Sequence, residues 1–365
     1  MTAVREAIAI PPPAVPPSGR PPFSHTSGSH SAPVVIVGEA WGRDEALTGT
    51  PFVGASGQEL TKLLLQAGIK RSDCLLTNTL NLQPPDNNIE ALCVTKKLAG
   101  DGYPLASLAQ GKYLHPAYLP ELARLREEIN FHPRNLVIAL GRTASWAMLG
   151  VAGISNIRGT IAKGVFTDYK ILPTYHPAAV LRNWALRPIV LADLMKARRE
   201  AAFPEIRRPE RWVLTDPTLE EIRAWAARWL PSATALACDI ETKAGQITEI
   251  GFAVSPKQAL VVPFTKNGLE HYWGEEAEVR AWLLVQEILA APVPKIFQNG
   301  MYDLIYLRRA KLHVAQARED TMLLHHSLFP EMQKGLAFMG SLYTNEPAWK
   351  LAYRKSREEE TKADE

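Results

Sequence analysis

The stretch Val34–Phe52 constrains this chain most, because Val-Val-Ile-Val runs without a polar residue into Gly-Glu-Ala-Trp-Gly-Arg-Asp-Glu-Ala-Leu-Thr-Gly-Thr-Pro-Phe. Four consecutive β-branched residues with no alternation are the pattern of a strand buried on both faces of a parallel sheet. Ligands meet such sheets at the carboxyl ends of their strands. Glu39 therefore stands where a ligand is met, and Gly38 and Gly42 allow a close backbone approach.

The pattern repeats along the first half. Gly57–Gly68 carries Leu60, Leu63 and Leu64 on one helical face, with Gly68 suited to a C-terminal cap. A second apolar strand, Cys74–Thr77, ends at Asn78, whose amide both donates and accepts. Tyr118–Ile129 reads as a helix, Asn135–Gly141 as a buried strand and Arg142–Leu149 as a short helix. Leu172-Pro-Thr-Tyr-His176-Pro then delivers a histidine from a strand end. Alternating strands and helices predict an α/β fold with a parallel, doubly wound sheet.

Four motifs in this order, Gly38-Glu39-Ala40-Trp41-Gly42, Gly49-Thr50-Pro51-Phe52-Val53-Gly54, Thr77-Asn78 and His176-Pro to Leu181-Arg182, resemble the uracil-DNA glycosylase superfamily, in particular its family 4 pattern. Gly49 and Gly54 lead to the expectation that the Phe52 ring between them is exposed. The likeness covers about residues 31–203. It implies that Phe52 stacks on a flipped base, that Asn78 reads the uracil edge and that His176 donates to the uracil O2 as charge develops on the leaving base. It also implies that Leu181 fills the vacated duplex position and Arg182 holds phosphate. Glu39 is the candidate that orients or deprotonates the attacking water. Glu45 matches a second acidic position of the same loop, and Trp41 departs from the proline usual there. Family 4 enzymes carry four cysteines around an iron–sulfur cluster, whereas this chain has Cys74, Cys93 and Cys238 only. No cluster is expected.

The flanks read differently. Residues 1–30 hold seven prolines and no hydrophobic period, as a disordered tail does. Arginines and prolines between Lys196 and Arg211 suggest a boundary near Phe203, with residues 204–230 as linker and helix. A strand then carries Asp239 and Glu241, whose spacing puts both carboxylates on one face. Ile247–Val254 and Ala259–Phe264 look like a hairpin beside it, and Lys295–Leu307 reads as a strand entering a helix with Asn299 and Asp303 four apart.

Asp-x-Glu followed by Asn-x-x-x-Asp resembles the first two motifs of the DnaQ-like 3′–5′ exonucleases, especially the proofreading domain of phage-type family A DNA polymerases. The likeness implies a ribonuclease H-like domain over residues 231–353, with Asp239, Glu241 and Asp303 as ligands of Mg or Mn. The third motif, an aspartate preceded by a tyrosine four or a histidine five positions earlier, does not occur after Asp303. Weak or absent exonuclease activity is therefore expected, and residues 354–365 read as a charged tail.

A net charge of +3 permits DNA as partner, and a DNA polymerase, or the missing portion of one, is the protein partner this domain order implies. No apolar run approaches the ~20 residues of a membrane span. A cytoplasmic protein of a bacterium or phage-infected host is expected, either a uracil excision enzyme, a non-catalytic DNA- or uracil-binding module, or a nuclease with a DNA-recruiting front.

Overall fold

The structure, a computed structural model, describes residues 21–348 apart from 101, 102, 104, 268 and 269. The described chain forms two compact units, one running to Arg207 and resuming at Gly340, the other spanning Arg208–Met339.

The first unit is the predicted doubly wound sheet. Its strands are β1 (Val34–Ala40), β2 (Cys74–Leu80), β3 (Leu136–Leu140), β4 (Ala162–Lys163) and β5 (Lys170–Thr174), in the order β2-β1-β3-β5-β4. All neighbours are parallel except the edge strand β4. Alternation along β1 divides the core. Val35 and Val37 pack with Leu125 and Ile129 of α3 (Leu119–Asn130) and Ala144 and Trp146 of α4 (Gly141–Leu149). Val34 and Ile36 pack on the opposite face with Leu60, Leu63 and Leu64 of α2 (Ala55–Ala67), Val180 of α5 (Pro177–Arg182) and Leu194 of α6 (Arg187–Glu200). A short helix, α1 (Arg43–Thr48), lies in the loop after β1. Strand order reverses at β1, so the carboxyl ends of β1 and β3 open a crevice.

A buried ionic network ties α3 to the end of β2. Arg124 donates to Glu121 Oε2 (3.1 Å), to Glu128 Oε2 (2.7 Å) and to the carbonyl oxygens of Asn78 (2.8 Å) and Thr79 (3.2 Å). Glu128 also accepts from Thr77 Oγ1, and Glu121 from the Asn81 N–H. Each charge is thereby paired and hydrogen-bonded, the condition under which burial is tolerated.

Two expectations are corrected at the edges of this unit. Residues 21–30 do not belong to a disordered tail: Ser27 pairs with Leu76, the Phe23 N–H donates to Glu128 and the Phe23 ring stacks on His30. The segment has few apolar residues, so long-range pairing rather than periodicity orders it. Residues 1–20 and the charged tail lie outside the described residues. Gly340 onward also returns to this unit, since Arg158 donates to Ser341 Oγ (2.8 Å) and Asn345 to Glu200 Oε1 (2.8 Å).

The second unit is built on a six-stranded mixed sheet. Its strands are β6 (Trp212–Leu214), β7 (Leu236–Lys243), β8 (Gln246–Ser255), β9 (Gln258–Pro263), β10 (Lys295–Phe297) and β11 (Ala317–Asp320), in the order β11-β10-β7-β8-β9-β6. β7, β8 and β9 are antiparallel, as the hairpin reading expects. The segment read as linker and helix is part of this fold. β6 pairs with β9, and Ile222 and Trp225 of α7 (Leu219–Trp229) enter the core beside Leu284 and Val285 of α8 (Glu275–Ala290). Prolines and arginines around a three-residue strand hide it from pattern reading.

Arg124→Ala leaves Glu121 and Glu128 buried without their cation. It is expected to cost about 3–5 kcal/mol, measured as a lowered urea midpoint of the full chain.

Candidate functional site

The crevice holds a cavity of about 500 Å³ lined by Glu39, Phe52, Asn78, Gly141, His176 and Arg182, among others. Residues separated by well over a hundred positions thus meet at the carboxyl ends of β1, β2, β3 and β5. Leu181 does not line it and stands about half exposed on α5.

The cavity floor follows from one register pair, Gly38 of β1 against Asn78 of β2. A Cβ at Gly38 would lie 2.2 Å from Asn78 Oδ1 and 2.6 Å from Phe52 Cζ. Only glycine lets both side chains come so near the strand. Phe52 is 5% exposed, contrary to the exposure expected beside Gly49 and Gly54, because its ring folds back over Gly38. Its backbone is left-handed, φ 59°, which costs of order 1 kcal/mol or more and must be held by surrounding structure. Arg71 supplies part of that hold, donating to the Phe52 carbonyl at 3.0 Å and the Gly57 carbonyl at 3.2 Å. The Phe52 ring lies 6.2 Å from the His176 ring with 23° between planes. Asn78 is buried, and its side-chain amide has no hydrogen-bond partner among the described residues.

His176 caps α5 by accepting the Ala178 N–H on Nδ1 at 3.2 Å. Its Nε2 is then the protonated, donating nitrogen of a neutral ring. Burial holds its pKa below the ordinary histidine value, against the opposing charge of Glu39. Glu39 accepts a hydrogen bond on Oε2 from Thr143 Oγ1. Its position and the pull on His176 place the two groups as neighbours.

Glu45 resolves differently from Glu39. One of its oxygens accepts the Gly42 N–H at 3.1 Å, and the other the N–H groups of Val53 (3.0 Å) and Gly54 (2.9 Å). It clips the two ends of the loop together, which the Gly42-x-x-Glu45 spacing of a helix start could have signalled. Thr143, Arg71 and the Arg124 network carry no motif and were not legible as site residues.

The cysteines do not fit a four-thiolate cluster. Cys74 sits in the core on one face of the sheet, Cys93 packs against the core on the other, and Cys238 belongs to the second unit. Burial pushes the thiols of Cys74 and Cys238 up to about 12 and that of Cys93 to about 11, away from the thiolate form that binds iron.

In the second unit Asp239 and Glu241 share the exposed face of β7, while Asp303 is buried in the first turn of α9 (Met301–Arg309). Asp303 Oδ1 accepts the Ile240 N–H at 3.0 Å. Burial, with Asp239 adding to it, raises the Asp303 carboxyl to about 6. Burial and Glu241 raise Asp239. Among the described residues no group of three or more acidic, histidine or cysteine side chains is arranged to hold a metal ion. Asp320, near Asp303, spends its oxygens on the N–H groups of Asn299, Gly300 and Met322.

Residues 25–205 match the family model of the uracil DNA glycosylase superfamily, and residues 212–362 match that of a 3′–5′ exonuclease. The chain belongs to the uracil DNA glycosylase superfamily, followed by an exonuclease domain. The type-4 uracil-DNA glycosylase of Archaeoglobus fulgidus is 33% identical over 176 residues, covering 46% of this chain and 77% of that protein. That of Thermotoga maritima is 34% identical over 175 residues, covering 47% of this chain and 79% of that protein. No helix among the described residues is long and apolar enough to cross a membrane.

On acidification the unfolded chain protonates its histidine before the folded site does, so His176 costs stability as pH falls through the ordinary histidine range. An NMR titration is expected to place the His176 midpoint below that of an exposed histidine, with the proton on Nε2 above that midpoint and Nδ1 taking the second proton only below it.

Proposed function

We propose that the first unit excises uracil from DNA by hydrolysing the N-glycosidic bond. The observation that carries this reading is the meeting of Glu39, Phe52, Asn78 and His176 in one cavity of about 500 Å³. That is within the range of small-molecule sites and has room for a flipped pyrimidine nucleotide. Phe52 offers a ring face, and the amide of Asn78 offers both a donor and an acceptor to the pyrimidine edge. Glu39 takes a proton from water as its oxygen bonds to the sugar C1′. The C1′–N1 bond breaks and its electron pair leaves on the base. His176, neutral and donating from Nε2, stabilises the charge that develops on O2. Arg182, at the cavity, meets backbone phosphate, and the exposed Leu181 occupies the gap in the duplex.

No iron–sulfur cluster takes part in this reading, since the cysteines present cannot assemble its ligands. The second unit is proposed as a 3′–5′ exonuclease module in which Asp239, Glu241 and Asp303 take Mg or Mn. A divalent ion would offset the repulsion that Glu241 adds to burial at Asp239 and that Asp239 adds to burial at Asp303. The same domain order supports a DNA polymerase as partner and a bacterial or phage-infected cytoplasm as setting. Trp41, which lines the cavity and departs from the proline of the family pattern that the motifs resemble, favours a second reading in which the pocket binds uracil-containing DNA without cleaving it.

The test is incubation with end-labelled DNA holding one uracil, in EDTA, followed by alkali. Cleavage at uracil is expected, reduced roughly 10²–10³-fold by His176→Ala and by Asn78→Ala. Retention of the DNA without cleavage sinks the excision reading and leaves the binding module.

A further inference from the structure

Strand β3 lies between β1 and β5, and α4 begins without an intervening loop at Gly141. The first turn of α4 is therefore set between Glu39, at the carboxyl end of β1, and His176, which follows β5. Gly141 is left-handed, φ 83°, and a Cβ there would lie 3.0 Å from the His176 Cβ. Two residues on, Thr143 is 1% exposed and donates its hydroxyl to Glu39 Oε2, a partner 104 positions away in sequence. A helical threonine ordinarily returns its hydroxyl to a carbonyl of the preceding turn. Here it reaches out of its helix to a carboxylate at the cavity.

We infer that the turn Gly141–Thr143 sets the geometry of the candidate catalytic pair, with Thr143 as a positioning residue for Glu39. This rests on the excision reading. A carboxylate anchored through Oε2 no longer rotates freely about its last bond, which leaves Oε1 as the oxygen available at the cavity. Gly141 packed on His176 fixes the other partner from the same turn. A displacement of about 1 Å in such a pair costs on the order of 10²-fold in rate. Thr143 is buried and does not line the cavity, so its contribution belongs to the chemical step and not to DNA affinity.

The experiment compares full-length wild type, Thr143→Val, Thr143→Ser and Glu39→Ala on single-uracil DNA under single-turnover conditions, with DNA affinity measured separately. Thr143→Val is expected to lower the excision rate by roughly 10–100-fold with affinity unchanged within about twofold. Thr143→Ser, which keeps the hydroxyl, is expected to restore most of the rate. In the Glu39→Ala background, Thr143→Val should add little further loss, because the pair acts as a unit. Melting temperatures separate this from a packing role. Equal losses in Val and Ser that track melting temperature overturn the inference, as does a wild-type rate in Thr143→Val or full additivity with Glu39→Ala. A wild-type chain that binds but does not excise overturns the excision reading itself, and this inference with it.

Discussion

At Gly38 the backbone of β1 passes so close to Asn78 and Phe52 that no side chain fits between them. The rest of the cavity depends on that contact. It lets the ring of Phe52 fold over a strand end, which in turn requires the left-handed backbone that Arg71 helps to hold. The loop is further pinned because a Cβ at Gly57 would collide with the Phe52 carbonyl. The ring of Phe52 and the amide of Asn78 are thus held in place by the fold itself, and preorganised groups lose little freedom on binding.

The polar residues around the cavity divide into those that hold and those that remain available. Glu45 and the Arg124 network hold: their hydrogen-bonding capacity goes into backbone groups of the Phe52 loop and of β2. Asn78 keeps its side-chain amide, and His176 its Nε2, turned to a space that the protein does not fill. Buried polar groups without partners are costly, so such sites are expected where a ligand completes them.

The longer strands, several helices and the residues Glu39, Phe52, Asn78, His176 and Arg182 that line one cavity were legible because they rest on local signals: β-branched runs, a 3.6-residue period, and short motifs at strand ends. What escaped rests on contacts distant in sequence. Glu39 and Glu45 are chemically alike and six positions apart, and only the N–H groups closing on Glu45 tell them apart. Phe52 was placed in the site but expected to be exposed, since sequence shows the flanking glycines and not the packing over Gly38. Residues 21–30 and Gly340 onward join the first unit through pairings such as Ser27 with Leu76 and Arg158 with Ser341, which no period announces. In the second unit alternation correctly put Asp239 and Glu241 on one face, while the burial of Asp303 against Ile240 could not be read from its spacing.

The carboxylates of the two units sit in different surroundings. Glu39 accepts a hydrogen bond from a hydroxyl beside a histidine held neutral by burial, whereas burial raises both Asp303 and Asp239, with Asp239 adding at Asp303 and Glu241 adding at Asp239. The central claim is that the first unit's cavity is a uracil pocket floored by Gly38. A crystal structure of the full chain with free uracil tests it most directly. The account predicts the base stacked on Phe52, its edge paired with the Asn78 amide and its O2 within hydrogen-bond reach of His176 Nε2. A base bound elsewhere, or a cavity that stays empty at saturating uracil, would contradict it.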